Sequence, residues 1–143
     1  AQLLLASDRL DEADAALHEA GAFTSLLGSP RYSGEAAVWR AALHRRRGEA
    51  DAALASLDEA DALLAQLPEA RYVARARLER AHVALDTADP GLCRSICAAS
   101  LDDVRSSQDP LLLGLLLRLR AAAELAQGAA AAHAATTSEL ADL

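Results

Sequence analysis

Three arginines stand at a constant spacing and are the first residues whose chemistry deserves a hypothesis. Arg40, Arg80 and Arg120 are forty residues apart, and alanine follows each of them. A row of guanidinium groups would suit carboxylates or phosphates, because each group presents a planar fork of donors. The alternative is structural, with each arginine laying its stem over a neighbouring helix and pairing with a local acid. The spacing therefore predicts an anion-binding ladder and leaves this alternative open.

Cysteine and histidine are the residue types that could bind a metal. Cys93 and Cys97 are four residues apart and would share one helix face, but a zinc site normally takes three or four protein ligands. The histidines, at positions 18, 44, 82 and 133, have no ligand spacing. The sequence contains no glycine-rich phosphate loop, nucleophile elbow or zinc-protease helix. We therefore expect no metal, no cofactor and no catalysis, and we interpret both cysteines as small core residues.

These residues belong to a pattern that recurs every forty residues. Counting five and twelve residues on from positions 8, 48 and 88 reaches small side chains each time. They are Ala13, Ala53 and Cys93 in one column and Ala20, Ala60 and Ser100 in the other. A period of this length is typical of stacked supersecondary units, and abundant alanine favours closely packed helices. The sequence predicts an all-α fold, an α-solenoid of about seven helices in stacked antiparallel hairpins.

Glycine and proline divide the chain into repeat units. We place a partial unit at 1–29 and complete units at 30–68, 69–108 and 109–143. Asp89 and Asp109 each precede a proline, so that the aspartate can cap a helix whose first residue is the proline. We predict one helical-repeat domain, excised from a longer protein, because the chain opens in a helical tail without an initiator methionine.

Composition restricts the functional classes. The net charge of −7 disfavours direct binding of nucleic acid, which depends on a basic surface. The most apolar run, Leu111 to Leu117, is shorter than the roughly 20 residues that span a bilayer, and no signal-peptide pattern is present. All fourteen basic residues are arginine, which is typical of a GC-rich bacterial source. We expect a cytoplasmic protein that contacts neither nucleic acid nor membrane.

The order of a helix, a glycine turn, an alanine-bearing helix and a proline resembles the tetratricopeptide repeat. The residues that carry it are Ala41, Gly48, Ala53, Ala60 and Pro68 in one unit and Ala81, Pro90 and Pro110 in the next. The long unit is similar to variants in bacterial multidomain transcriptional regulators. The resemblance implies a concave groove lined by the first helix of each pair. It places the partner-binding residues at Glu35, Val38, Arg45, Arg46, Arg75, Leu78, His82 and Arg118.

The resemblance implies a non-catalytic interaction or effector-sensing module of a bacterial regulator. Its groove would bind a partner domain, a peptide or a small effector. If arginines orient a peptide ligand, that peptide would be acidic. Arg45 and Arg46 also end a helix, where positive charge complements exposed carbonyls, so a helix-end role is the alternative for them. Two other functions stay open. The apolar helix at 111–119 or the chain ends could join two chains as a dimer or a spacer arm. The array could also position substrate for a caspase-like protease or an ATPase.

Overall fold

The computed structural model describes residues 2–68 and 70–143, and these residues form helices without any strand. These two described ranges contain eight helices: α1 (Gln2–Ala6), α2 (Leu10–Leu27), α3 (Pro30–Arg46), α4 (Ala50–Leu64), α5 (Ala70–Asp86), α6 (Pro90–Ser106), α7 (Pro110–Ala126) and α8 (Ala130–Ala141). The prediction of an all-α fold made of helical repeats is confirmed. The short α1 precedes the seven helices that the sequence predicts.

The chain forms two compact units, and the boundary between them lies within α5. Unit 1 comprises Ala1–Glu79 and unit 2 comprises Arg80–Leu143. In unit 1, α2 packs on α3 and α3 packs on α4. In unit 2, α6 packs on α7 and α7 packs on α8. Within each unit, therefore, helices pack on their neighbours in the chain.

Four turns repeat one backbone geometry at intervals of forty residues. Asp8, Gly48, Ala88 and Gly128 have φ angles between 58° and 77°, in the left-handed region. After each of them, the next backbone amide donates to the carbonyl oxygen five residues earlier, at 2.8 to 2.9 Å. This arrangement satisfies carbonyls that a helix end would otherwise leave unbonded and reverses the chain. The forty-residue period of the sequence is thus a period of turns.

Two aspartates cap the helices that follow them, as the sequence predicts. The carboxylate of Asp89 accepts a 2.9 Å hydrogen bond from the amide of Leu92, and Asp109 accepts one of the same length from Leu112. The proline after each aspartate is the first helical residue, where its missing amide hydrogen costs nothing. These local contacts define the starts of α6 and α7.

The small-residue columns lie in the helix packing of both units. Ala13, Ala53 and Cys93 are 0% exposed, and so are Ala60 and Ser100, whereas Ala20 is half-buried. Small side chains at these positions allow the backbones of neighbouring helices to approach closely. The interpretation of the cysteine as a small core residue is confirmed at this column.

The apolar helix α7 contributes four of its eight leucines to the core of unit 2. Leu112, Leu116, Leu117 and Leu119 are at most 6% exposed, whereas Leu111 is 72% exposed. None of the helices that the structure describes has the length and apolar character needed to cross a membrane. Most of the leucines proposed for pairing two chains therefore pack inside their own unit.

Candidate functional site

Cationic and aromatic side chains gather in unit 1 where α3 meets the first part of α5. Residues three or four positions apart lie on one side of a helix. One such side of α3 faces one such side of α5. We call this surface the α3–α5 face. Its residues are Arg31, Glu35, Trp39, Arg45, Arg71, Tyr72, Arg75 and Glu79.

Arg75 lies over the only tryptophan of the chain. Its guanidinium carbon is 5.6 Å from the centroid of the Trp39 ring. Trp39 is half-buried and packs against a core cluster that includes Leu5, Leu17 and Leu43. Arg75 is exposed, and no carboxylate within the described part of the chain pairs with it. The ring thus positions a cation whose charge remains available to a ligand.

Tyr72 brings two further arginines to the same face. The guanidinium carbons of Arg31 and Arg71 lie 5.0 Å and 4.9 Å from the centroid of its ring. Tyr72 itself is only 5% exposed, so its ring is a fixed platform. Arg31 also lies 5.5 Å from the centroid of Tyr32 and 3.6 Å from a carboxylate oxygen of Glu35. Two cations thus share one ring, and Glu35 partly compensates the charge of Arg31.

Arg45 forms an ion pair that links α3 to α5. Its Nε donates to Oε1 of Glu79, and the two side chains are 17% and 13% exposed. Removing one partner of such a poorly solvated pair would leave the other charge uncompensated. Arg45 therefore has a structural partner already, and its predicted role in binding stays a prediction.

The end of α3 is tied to acidic residues near the start of α2. Nη1 of Arg47 donates to Asp14 at 2.8 Å, and Nη2 donates to Asp11 at 3.1 Å. The hydrogen bond with Asp14 is the main cause that raises the pKa of Arg47. Arg46 lies 4.0 Å from a carboxylate oxygen of Asp8. The positive charge at this helix end thus has partners within unit 1.

The α3–α5 face is locally cationic in an acidic chain. It carries four arginines and two glutamates, a net charge of +2, whereas the whole chain carries −7. Electrostatic attraction to this face would favour acidic over basic ligands.

The structure distributes the other predicted groove residues over both units. Val38 and Leu78 are half-buried in unit 1. His82 is half-buried and Arg118 is exposed, both in unit 2. The binding role of all these residues stays a prediction.

The arginines of the predicted ladder have different surroundings. Arg40 donates to Glu59 of α4, and Nε of Arg120 donates a 2.8 Å hydrogen bond to Glu124 of its own helix. Arg80 is half-buried at the start of unit 2. Arg40 and Arg120 thus pair with nearby acids, as expected if these arginines have a structural role. The anion-binding ladder stays a prediction.

Sequence reasoning missed the residues that organise this face. The predicted groove set does not include Trp39, Tyr72 or Glu79. Trp39 contacts Arg75 and Glu79 contacts Arg45, both of which belong to that set, while Tyr72 contacts Arg31, which does not. A signal existed for Tyr72, because Arg31-Tyr32 recurs forty residues later as Arg71-Tyr72, but Trp39 has no aromatic counterpart forty residues later. Glu79 carries no such signal, since its role depends on how α5 packs beside α3.

A charged side chain is buried in unit 2. Glu124 is 0% exposed, and its Oε1 accepts the hydrogen bond from Arg120. Its Oε2 has no hydrogen-bond partner among the described residues. A buried carboxylate oxygen without a donor is costly, so Glu124 depends on Arg120 for compensation.

The two cysteines lie in the same interior. Both are free and 0% exposed, and Sγ of Cys93 is 4.0 Å from the carbonyl oxygen of Leu119. A hydrogen bond with Cys93 raises the pKa of Cys97, and burial raises it further, while the same contact lowers the pKa of Cys93. Within the described residues, no group of three or more histidine, cysteine or acidic side chains could hold a metal ion. Because both thiols are fully buried, the pair forms part of the packed interior of unit 2, as the sequence predicts.

Two shallow clefts open along α2 in unit 1. One has a volume of about 300 Å³ and is lined by Leu17, His18, Gly21, Ala22, Ser25 and Arg40. The other, of about 440 Å³, is lined by Asp11, Asp14, Ala15 and His18. The smaller cleft contains a hydroxyl, Ser25, and an imidazole, His18, but Oγ of Ser25 donates to the carbonyl oxygen of Gly21 and not to His18. The hydrogen-bonded pair of nucleophile and base that activates a serine is therefore not formed among these described residues.

The chain matches no protein-family model, no curated protein and no solved structure.

Proposed function

We propose that the chain is a non-catalytic protein-interaction module whose α3–α5 face binds an acidic peptide segment of a partner. The observation that carries the proposal is the exposed guanidinium of Arg75, positioned over Trp39 and without a carboxylate partner in the described part of the chain. The resemblance to tetratricopeptide repeats supports the same type of function, since it implies ligand binding by the first helices of the pairs. In a larger bacterial regulator, such a module would hold a partner or sense a ligand.

The chemistry of the face suggests how the ligand would bind. Arg31 and Arg75 present guanidinium groups that can form paired hydrogen bonds with a carboxylate. Trp39 and Tyr32 lie beside them, and Tyr32 is 47% exposed. Exposed aromatic rings and arginines are the residues that most often dominate binding energies at protein interfaces. A peptide that alternates acidic and apolar side chains would use both kinds of contact.

The proposal is tested with a fluorescein-labelled peptide of about twelve residues that alternates glutamate and leucine, a length suited to recognition of a peptide segment. Fluorescence anisotropy measures its affinity for the natural chain and for Arg75→Glu. We expect the substitution to weaken binding about tenfold, which corresponds to about 1.4 kcal/mol. Binding should also weaken as salt is added, because exposed charges are screened.

Arg94→Glu is the matched control. Arg94 is exposed on α6 in unit 2, and the substitution changes the net charge by the same amount as Arg75→Glu. The proposal requires that the control bind the peptide like the natural chain. Equal loss in the two variants would show that the peptide responds only to overall charge, and equal retention would exclude the α3–α5 face.

A further inference from the structure

Glu79 occupies a position from which an ion pair with Arg75 is expected. The two residues are four positions apart on α5, and an arginine and a glutamate at this spacing are neighbours on the helix surface. Two other arginines have a glutamate at this spacing in the same helix, and both pair with it: Arg31 with Glu35, and Arg120 with Glu124. Arg75 differs, because no carboxylate among the described residues pairs with it.

Arg45 of α3 explains the difference. Its Nε donates to Oε1 of Glu79, and the two side chains are only 17% and 13% exposed. Arg75 is exposed, so an ion pair with it would be weakened by water. Opposite charges attract more strongly where water is largely excluded. Glu79 therefore bonds across to α3 and leaves the guanidinium of Arg75 over Trp39.

The contacts of α3 with α5 place Arg45 away from the ring that positions Arg75. Trp39 meets Arg75, and Arg45 meets Glu79, so the two contacts follow the same order along both helices. Arg45 is six residues after Trp39, which corresponds to about 9 Å along the axis of α3. An effect of Arg45 on a ligand held at Arg75 is therefore transmitted by Glu79, which lies between them in the chain of contacts.

We propose that Arg45 is a positioning residue of the α3–α5 face, which keeps Arg75 available to an acidic ligand by holding Glu79 away from it. The inference rests on the proposed function of this face. Glu79 is an internal competitor of the ligand. Without Arg45, its carboxylate turns to Arg75, occupies the guanidinium and repels an acidic peptide. Arg45 thus acts on binding without touching the ligand.

Arg45→Gln and Glu79→Gln break the same ion pair and separate this role from a purely structural one. With the labelled glutamate–leucine peptide, we expect Arg45→Gln to weaken binding about fivefold, as a competing exposed ion pair allows. Glu79→Gln should bind at least as tightly as the natural chain, because it frees no carboxylate. The double variant should recover the natural affinity. Equal losses in the two single variants, or a double variant that stays weak, would overturn the proposal.

Arg47→Gln controls for the loss of a positive charge and of an ion pair at the end of α3. Arg47 pairs with Asp11 and Asp14 of α2, and the substitution changes the net charge as Arg45→Gln does. The acids that it frees belong to α2 and are not one turn from Arg75. The control should bind the peptide like the natural chain, with its helicity checked by circular dichroism. A loss equal to that of Arg45→Gln would assign the effect to charge alone and overturn the proposal.

Quenching of Trp39 fluorescence tests the role of Arg45 without a peptide. Iodide is a small anion that an unpaired guanidinium over the ring attracts, whereas uncharged acrylamide reports only the exposure of the ring. At constant ionic strength, the ratio of the iodide to the acrylamide quenching constant should fall about twofold in Arg45→Gln and persist in Glu79→Gln.

The quenching ratio also separates this inference from the proposed function. A lowered ratio in Arg45→Gln supports the positioning role even if peptide binding proves independent of Arg75, a result that would refute only the proposed function. An unchanged ratio in folded Arg45→Gln would overturn the positioning role, whatever the peptide does.

Discussion

Gly34 and Leu64 mark the closest approach between α3 and α4. A Cβ built on Gly34 would lie 2.4 Å from Cδ2 and 2.6 Å from Cγ of Leu64, and Leu64 is 1% exposed. Because Cγ is near the base of the leucine side chain, rotation of its end cannot relieve the contact. The glycine is required by packing here, although glycine is unfavourable within a helix.

We expect Gly34→Ala to lower the free energy of unfolding by about 1 to 3 kcal/mol, the usual cost of overpacking. Gly21→Ala is the matched control, since no heavy atom lies within 4 Å of a Cβ built there. The control should raise the free energy of unfolding by about 0.5 to 1 kcal/mol, because alanine favours helix. Urea unfolding measures both. A stabilising Gly34→Ala would contradict the packing of α3 on α4.

Replacing Ala88 in its turn by glycine should increase the stability of the chain. Ala88 has a φ of 61° although it carries a Cβ, whereas Gly48 occupies the equivalent position with a φ of 77°. We expect Ala88→Gly to stabilise the chain by about 0.5 to 1 kcal/mol and Gly48→Ala to destabilise it by a similar amount, because left-handed angles strain residues with a Cβ. Thermal unfolding of the two variants checks the signs. Opposite signs would refute the equivalence of the two turns.

The sequence predicts those parts of the fold that depend on residues close together in the chain. The turn column at positions 8, 48, 88 and 128 and the caps at Asp89 and Asp109 depend on residues within one turn of the chain. The α3–α5 face depends instead on residues more than thirty positions apart, such as Arg45 and Glu79. No pattern within one helix can show which side chains of another helix will meet it.

The arginine column shows why equal phase does not give equal contacts. Arg40 has His44 four residues later and pairs with Glu59 of α4. Arg120 has Glu124 at that position and pairs within its own helix. One substitution in the next turn thus changes the partner of the arginine. Equivalent positions in the repeats therefore share the same place on a helix, but their side chains can form different ion pairs.

The buried carboxylate of Glu124 makes Arg120 important for stability. Arg120→Met should lower the free energy of unfolding by about 2 kcal/mol, because it leaves an uncompensated buried carboxylate. Adding Glu124→Leu should recover much of this loss, since an apolar side chain needs no partner. A double-mutant cycle by urea unfolding measures the coupling. Additive effects of the two substitutions would show that the pair does not act as a unit.

The most direct test of the central claim uses Trp39 as its own reporter. Trp39 is the only tryptophan, and Arg75 of the proposed binding surface lies over its ring. Titration with an unlabelled acidic peptide of alternating glutamate and leucine should change the tryptophan emission saturably, with the dissociation constant that anisotropy gives. The change should be lost in Arg75→Glu at the same peptide concentrations. Saturable peptide binding that leaves Trp39 emission unaltered would place the ligand elsewhere and contradict the account.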